Sequence, residues 1–128
     1  YCTVCSCTYC VSKRICAVEH DKHIAYVSHL SHITSFMLGK TVLEKETNEQ
    51  NIFDMAGSGF ASTVRLAKSS PEMWMPIFTQ NKHNVLESLT EYISNLNAFK
   101  DKLAADAHAE LLAEMKDINK IKSILEHK

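Results

Sequence analysis

Arginine is scarce in this chain, and one arginine lies in a mostly apolar segment. Arg65 stands between Val64 and Leu66. The chain has only one other arginine, Arg14, whereas it has twelve lysines. A guanidinium differs from an ammonium because it can bind a carboxylate or a phosphate through two parallel hydrogen bonds. Arg65 is therefore a candidate anion-binding residue. The alternative is an ordinary ion pair with a glutamate of a neighbouring helix.

Four early histidines form two pairs, His20 with His23 and His29 with His32, each with a spacing of three residues. Residues three apart share one face of a helix, so each pair could supply metal ligands. No carboxylate stands at a matching spacing, although Asp21 is adjacent, and we predict no metal site. The second pair lies in an apolar stretch, where a buried imidazole needs a polar partner. That requirement implies a polar pocket, or else a hydrogen-bonded core histidine.

The five cysteines all fall within the first sixteen residues. Two C-x-x-C pairs, at 2–5 and 7–10, are separated by a single residue, which leaves little room to wrap a tetrahedral ion. We expect residues 1–18 to be a Cys-rich leader that is either non-native or disordered, and residues 19–128 to form the helical domain. The cysteine-free body and the lack of a secretory signal predict a cytoplasmic protein.

Length and composition limit the function further. A chain of 128 residues has room for one hydrophobic core. The net charge of −1 provides no basic surface for nucleic acid. No apolar run approaches the roughly 18 residues of a membrane-spanning helix, so we expect no membrane partner. Three glycines and two prolines are too few for an all-β sandwich or barrel.

Long helices are predicted to position the candidate residues. Residues 19–46 should form a helix of about 42 Å that is buried on several sides. Residues 57–59, Gly-Ser-Gly, are expected to make a turn or a tight helix entry, because Ser62 breaks the G-x-G-x-x-G nucleotide pattern. Ser70, Pro71 and Glu72 mark the start of another helix, which Pro76 should end or kink within about one turn.

A third long helix is predicted from about Asn81, with a heptad-like apolar seam at Val85, Leu89, Tyr92, Leu96, Phe99 and Leu103. A last helix over residues 105–126 either continues it as one bent helix or forms a hairpin with it. The fold class is all-α. Because the apolar stripes exceed what a compact monomer of this size buries easily, we expect a strong or obligate oligomer.

Several short motifs in register resemble those of prephenate dehydrogenases. They are HDKH at 20–23, VSHLSH at 27–32, GSGF at 57–60, TVRLA at 63–67, SPEMW at 70–74, IF at 77–78 and NK at 81–82. The family pattern reads HD…SHLPH…GGGF…TRIA…DPEMW…IF…NK. The resemblance covers residues 19–103, with Ser31 in place of the family's proline and Ser62 where an acid often precedes the arginine.

The resemblance implies a long-helix bundle that forms an intertwined dimer, like the 6-phosphogluconate-dehydrogenase-like C-terminal domain. Family members convert prephenate to 4-hydroxyphenylpyruvate with NAD or NADP, by hydride transfer coupled to decarboxylation. The family's substrate-carboxylate arginine corresponds to Arg65, and the two histidines of its SHLPH motif correspond to His29 and His32. Its catalytic histidine belongs to an N-terminal Rossmann domain, so no residue here receives a catalytic role.

Three partners are therefore expected: a second copy of the chain, a substrate that is prephenate or a related dicarboxylate, and the Rossmann domain. The Rossmann domain is expected to be absent from this chain and to bind the cofactor. No cofactor is expected for the chain alone, which should be inactive without that domain. Two alternatives are open: a stand-alone helical interaction module, metal-linked through its Cys/His-rich start, and a helical regulatory module that binds an aromatic ligand.

Overall fold

The computed structural model describes residues 15–49 and 51–126, and within them the chain is helical, without an extended strand. The α-helices are α1 (Ala17–Ile24), α2 (Leu30–Asn48), α3 (Ser58–Thr63), α4 (Pro71–Gln80), α5 (Lys82–Ala104), α6 (His108–Ile118) and α7 (Ile121–Glu126). A π-helical turn (Ala25–His29) joins α1 to α2, and two 3₁₀ turns, the first at Phe53–Met55 and the second at Arg65–Lys68, flank α3. The predicted all-α class is confirmed.

The predicted first long helix exists, but a π-helical turn interrupts it. Leu30 donates its N–H to the Ala25 carbonyl, five residues back instead of four. Such turns often lie at functional sites, because they shift the direction of the side chains that they carry. Helix α1 begins at Ala17, two residues earlier than predicted, so the helix includes the end of the predicted leader. The predictions for residues 1–14 lie outside the described residues.

A carboxylate closes the chain reversal after α2. Glu46 accepts hydrogen bonds from the backbone N–H groups of Asn51, Ile52 and Phe53, at 3.0, 2.7 and 3.3 Å. These donors lie at the entry to the first 3₁₀ turn and have no helical acceptor. The Glu46 side chain therefore does for this turn what a capping residue does for an α-helix.

The segment that carries Arg65 packs directly against α2. Ser35 donates its hydroxyl hydrogen to the carbonyl of Thr63 at 2.8 Å, which satisfies a carbonyl at the end of α3. One turn further along α2, Gly39 faces Ala67 closely enough that an added Cβ would lie 3.8 Å from the alanine Cβ. Helix α2 therefore fixes the position of the second 3₁₀ turn.

The predicted start of α4 is confirmed. The Ser70 side chain accepts a hydrogen bond from the Met73 N–H, and Pro71 occupies the first helical position. The helix continues through Pro76 and ends at Gln80, one turn later, as the proline predicted. Asn81 then accepts from the N–H of Val85 through its backbone carbonyl and so begins α5.

The described residues divide into two compact units, one that ends at residue 89 and one that begins at residue 90, and α5 continues from the first into the second. In the second unit, α5 ends in a paired cap. The Ala107 N–H donates to the Lys102 carbonyl and the Asp106 N–H to the Leu103 carbonyl, while Asp106 adopts a left-handed φ of 55°. This is a Schellman arrangement with aspartate where glycine is usual.

The cap turns the chain back along α5, so the hairpin alternative is the correct one. Lys102 and Glu114 form an ion pair at 2.8 Å, although twelve residues of straight helix would separate them by about 18 Å. The hydrogen bond that Lys102 donates to the Glu114 carboxylate raises the pKa of Lys102. The predicted last helix is also divided, because α6 ends at Ile118 and Asn119, a weak helix former, caps it before α7 begins.

Few apolar side chains are buried within the part of the chain that the structure describes. Ala25, Val85 and Leu111 are the buried ones. The predicted apolar seam of α5 is buried at Val85 but exposed from Leu96 onward. The prediction that the first long helix is buried on several sides is wrong for the single chain, since Val27 is 73% exposed. These faces are uncovered by residues 15–49 and 51–126 of the chain. Across the same residues, no helix is both long and apolar enough to cross a membrane.

The left-handed cap of α5 gives a stability prediction. Asp106→Gly should keep or raise the free energy of unfolding, by up to about 1 kcal/mol, because glycine adopts this φ without a Cβ clash. Asp106→Val should lower it by about 1–2 kcal/mol, since a β-branched residue resists this conformation. Urea denaturation followed by circular dichroism would measure both. Equal losses of unfolding free energy in the two variants would instead assign the effect to the exposed contact between the Asp106 carboxylate and the His108 ring, at 3.5 Å.

Candidate functional site

His29 forms the centre of the candidate site. It is the last residue of the π-helical turn and is only 7% exposed. Its ring meets two aromatic rings of α4 edge to face, with centroid distances of 6.1 Å to Trp74 and 6.3 Å to Phe78. Edge-to-face geometry is favourable between aromatic rings. His29 is therefore buried among apolar groups, and the sequence predicts that such a histidine needs a polar partner.

That partner is Asn81, at the junction of α4 and α5. Its side-chain nitrogen Nδ2 lies 2.7 Å from the carbonyl of Asp21 and 3.3 Å from Nδ1 of His29. The amide oxygen accepts a third hydrogen bond, from Asn84, at 2.8 Å. Because Nδ2 is a donor, Nδ1 of His29 must be the acceptor, so the neutral ring carries its hydrogen on Nε2.

The electrostatic surroundings agree with a neutral ring. Burial lowers the pKa of His29 below 6.5, and the like charge of a protonated His32 lowers it further. Asp21 acts in the opposite direction, and His20 adds a smaller lowering contribution. Burial and the neighbouring histidines therefore favour the neutral form of His29.

His32 occupies a different environment one turn along α2. Its ring stacks on Trp74 with a centroid distance of 3.4 Å and an interplanar angle of 23°. Its Nδ1 lies 2.9 Å from the Ser28 carbonyl, so Nδ1 carries a hydrogen. The neutral His32 ring is then a hydrogen-bond acceptor at Nε2, whereas the His29 ring is a donor there. The two predicted histidines therefore share one indole and have opposite tautomers.

Arg65 is exposed on the second 3₁₀ turn. Its side chain makes no hydrogen bond or ion pair with any residue of 15–49 or 51–126, so the alternative of an interhelical ion pair is not realised there. Neither a hydrogen bond nor an ion pair joins Arg65 to His29 or His32. What relates them is α2, which carries His32 and contacts the Arg65 segment through Ser35.

The first histidine pair does not form a metal site with described neighbours. His20 Nδ1 lies 3.3 Å from a carboxylate oxygen of Asp21, and both side chains are more than half exposed. No group of three or more histidine, cysteine, aspartate or glutamate side chains that could hold a metal ion occurs in the described part of the chain. The four thiols at residues 2–10 lie outside it.

Residue chemistry alone did not identify several members of the site, namely Trp74, Phe78, Asn81 and Asn84. Trp74, Phe78 and Asn81 belong to the motifs of the resemblance, without a role attached to any of them. Trp74 is the only tryptophan of the chain, which was an available signal. The contacts join α4 to α2 across more than forty residues of sequence, so helical spacing within one segment could not reveal them.

The arrangement combines an indole face with a hydrogen-bond donor and an acceptor. Such a surface can contact a flat apolar ring and also bind polar groups at its edge. Residues 17–117 match the family described as the prephenate dehydrogenase dimerization domain. The chain belongs to this family.

Curated relatives agree with the family assignment. The prephenate dehydrogenase of Bacillus subtilis is 30% identical over 82 residues, which are 64% of this chain and 22% of that protein. The cyclohexadienyl dehydrogenase of Zymomonas mobilis is 30% identical over 111 residues, which are 85% of this chain and 38% of that protein. The chain thus spans less than two fifths of the length of either relative.

Solved structures show the same fold. Prephenate dehydrogenase from A. aeolicus, in complex with hydroxyphenyl propionate and NAD+, superposes with a TM-score of 0.78 at 35% identity, over 88% of this chain and 39% of that chain. Synechocystis arogenate dehydrogenase gives a TM-score of 0.72 over 85% of this chain and 40% of that chain, and its 24% identity shows likeness of fold alone.

The buried neutral His29 predicts a pH dependence of stability. Because the pKa of His29 is lower in the native state, the unfolded state binds more protons at His29 just below pH 6.5 than the native state does. The free energy of unfolding should therefore fall as the pH falls through 6.5. His29→Gln should reduce this slope, by at most about 1.4 kcal/mol per pH unit. Urea denaturation between about pH 5 and pH 7.5 would measure it. The exposed His83→Gln is the control, and a His29→Gln profile parallel to the wild type would contradict the assignment.

Proposed function

We propose that this chain is the dimerisation and substrate-binding part of a prephenate dehydrogenase. The whole enzyme would convert prephenate and NAD or NADP to 4-hydroxyphenylpyruvate and CO₂, in the synthesis of tyrosine. The observation that carries the proposal is the family match over residues 17–117, combined with similarity to dehydrogenases from several organisms.

Within that enzyme, Arg65 is proposed to bind a carboxylate of the substrate. Its exposure and its lack of a described partner leave the guanidinium available for two parallel hydrogen bonds. The ligand in the A. aeolicus complex, hydroxyphenyl propionate, combines a carboxylate with a phenol ring. We propose that His32 and His29 line the same site, where the His32–Trp74 stack offers a flat surface to a six-membered ring.

We assign the cofactor to an N-terminal Rossmann domain of the whole enzyme. The NAD+ of the A. aeolicus complex supports NAD as the hydride acceptor, with NADP as the alternative. The Gly57-Ser58-Gly59 segment does not fit a dinucleotide site, because Gly57 caps a helix of only six residues and no described strand precedes it. The role of this chain is to bind and orient the substrate, and no catalytic residue is assigned to it. A cytoplasmic location stays a prediction from composition.

The second proposed partner is another copy of the chain. Helices α5, α6 and α7 carry exposed apolar side chains, at Ile93, Leu96, Phe99, Leu103, Leu112, Met115, Ile118, Ile121, Ile124 and Leu125. An apolar face of this extent on a single chain is typical of an obligate interface. The description of the family as a dimerization domain supports a homodimer as the assembly that covers it.

Self-association through this face can be tested with one charge. Leu96 is 51% exposed, and Leu96→Glu should convert the homodimer to a monomer, because dimerisation would bury an unpaired carboxylate. Asn95→Glu places the same charge on the adjacent exposed residue and should leave the dimer intact. Sedimentation equilibrium would measure both masses. A wild-type chain that is monomeric at tens of micromolar would refute the homodimer.

Carboxylate binding by Arg65 can be measured on this chain directly. Titration calorimetry with prephenate or hydroxyphenyl propionate should show binding that Arg65→Gln weakens roughly tenfold or more, since a charged hydrogen-bonding group is lost. Arg65→Lys should recover only part of the affinity, because the planar fork is missing. In an enzyme that also carries the nucleotide domain, Arg65→Lys should raise KM.

Lys68→Gln is the matched control, because Lys68 is an exposed cation of the same 3₁₀ turn. It should leave binding unchanged. Equal losses in Arg65→Gln and Lys68→Gln would show a general electrostatic effect and no specific clamp. Stoichiometric zinc in the pure protein, with no affinity for either carboxylate, would favour the alternative of a metal-linked interaction module.

A further inference from the structure

One amide side chain holds three helical segments of the first unit together, and it belongs to Asn81. It contacts the Asp21 carbonyl of α1, the His29 ring of the π-helical turn and the Asn84 amide of α5. Both hydrogens of Nδ2 and the oxygen Oδ1 have partners. Asn81 also ends α4, since its backbone N–H donates to the Ile77 carbonyl.

The identity of the side chain matters because of which group faces His29. Aspartate has nearly the same shape as asparagine, but its carboxylate presents only acceptors. The Asp21 carbonyl also accepts, so it requires a donor at the same place. Among side chains of this size, asparagine is the one that donates to both and still accepts from Asn84.

The effect of this amide extends to the proposed ligand surface. His29, which is held through Nδ1, contacts Trp74 edge to face at a centroid distance of 6.1 Å, and the His32 ring stacks on the same indole at 3.4 Å. His29 and His32 lie three residues apart on nearly continuous helix, so the indole contacts both rings. A change in the tautomer or orientation of the His29 ring would therefore alter the packing of Trp74 and, through it, the position of the His32 ring.

We propose that Asn81 is a positioning residue of the substrate site: by donating to Nδ1 it sets the Nε2–H tautomer of His29 and, through His29, the packing of Trp74 and His32. This inference deepens the proposed function and rests on it for the identity of the ligand. Asn81 itself is not proposed to touch the substrate.

The first test observes the ring nitrogens by ¹⁵N NMR, without any ligand. In the wild-type chain His29 should carry its hydrogen on Nε2. In Asn81→Asp a carboxylate replaces the donor, so the hydrogen should move to Nδ1 and the pKa of His29 should rise. Asn84→Ala, which leaves the Asn81 nitrogen in place, should keep the wild-type tautomer. His29→Gln identifies the His29 signals among the seven histidines.

The wild-type spectrum alone can overturn the proposal, whether or not the variants fold. An Nδ1–H tautomer in the wild type would do so, as would an unchanged Nε2–H tautomer in folded Asn81→Asp. Because Trp74 is the only tryptophan, its fluorescence provides a second readout. Asn81→Asp should shift the emission as His29→Gln does, and Asn84→Ala should not. An Asn81→Asp emission identical to the wild type would contradict the link to Trp74.

The second test adds hydroxyphenyl propionate as the probe. Asn81→Asp should weaken its binding about fivefold or more, and Asn84→Ala should bind like the wild type. Unchanged binding alongside a switched tautomer would refute a role of Asn81 in the ligand site. If the wild type fails to bind the probe while the tautomer still switches, the proposed function fails and the positioning of His29 by Asn81 is supported.

Discussion

A buried imidazole needs a hydrogen-bond partner, and in this chain that need fixes the local arrangement of four helical segments. His29 is nearly inaccessible to solvent, so it is stable there only as a neutral ring with a donor facing Nδ1. The Asn81 amide supplies the donor. The same amide links the ring to α1 and to the start of α5, so three hydrogen bonds of one side chain connect α1, the π-helical turn and the junction of α4 with α5.

Around this contact, the two histidines of one helix face have become chemically different. His29 is buried and hydrogen-bonded by a side chain, whereas His32 donates to a backbone carbonyl and lies flat against Trp74. In the proposed site both rings line the substrate pocket. The buried His29 ring also supports the indole, and the His32 ring and Arg65 are more accessible to a ligand.

The sequence predicted the parts of this structure that depend on local chemistry. The serine and proline before α4 gave its start because capping involves only neighbouring residues. The isolated arginine and the histidine pair gave candidate site residues, and the motif resemblance gave the family. Local reasoning missed the π-helical turn and the left-handed Asp106, because neither contains a glycine or a proline. It missed the Asn81–His29 contact because tertiary packing alone brings those residues together.

The π-helical turn has a consequence for how this helix tolerates changes in length. A π turn holds one residue more than an α turn, so deleting any residue within Ala25–His29 would let the backbone close into a regular α-helix. Because the five residues of a π turn cover nearly the same rotation as four residues of α-helix, the segment before the deletion would keep its direction relative to α2. The Asp21 carbonyl would still face Asn81, whereas removal of a residue from the regular helix between Asp21 and the π turn would rotate that carbonyl by about 100°. The π turn is therefore the place where this helix should best accept the loss of one exposed residue.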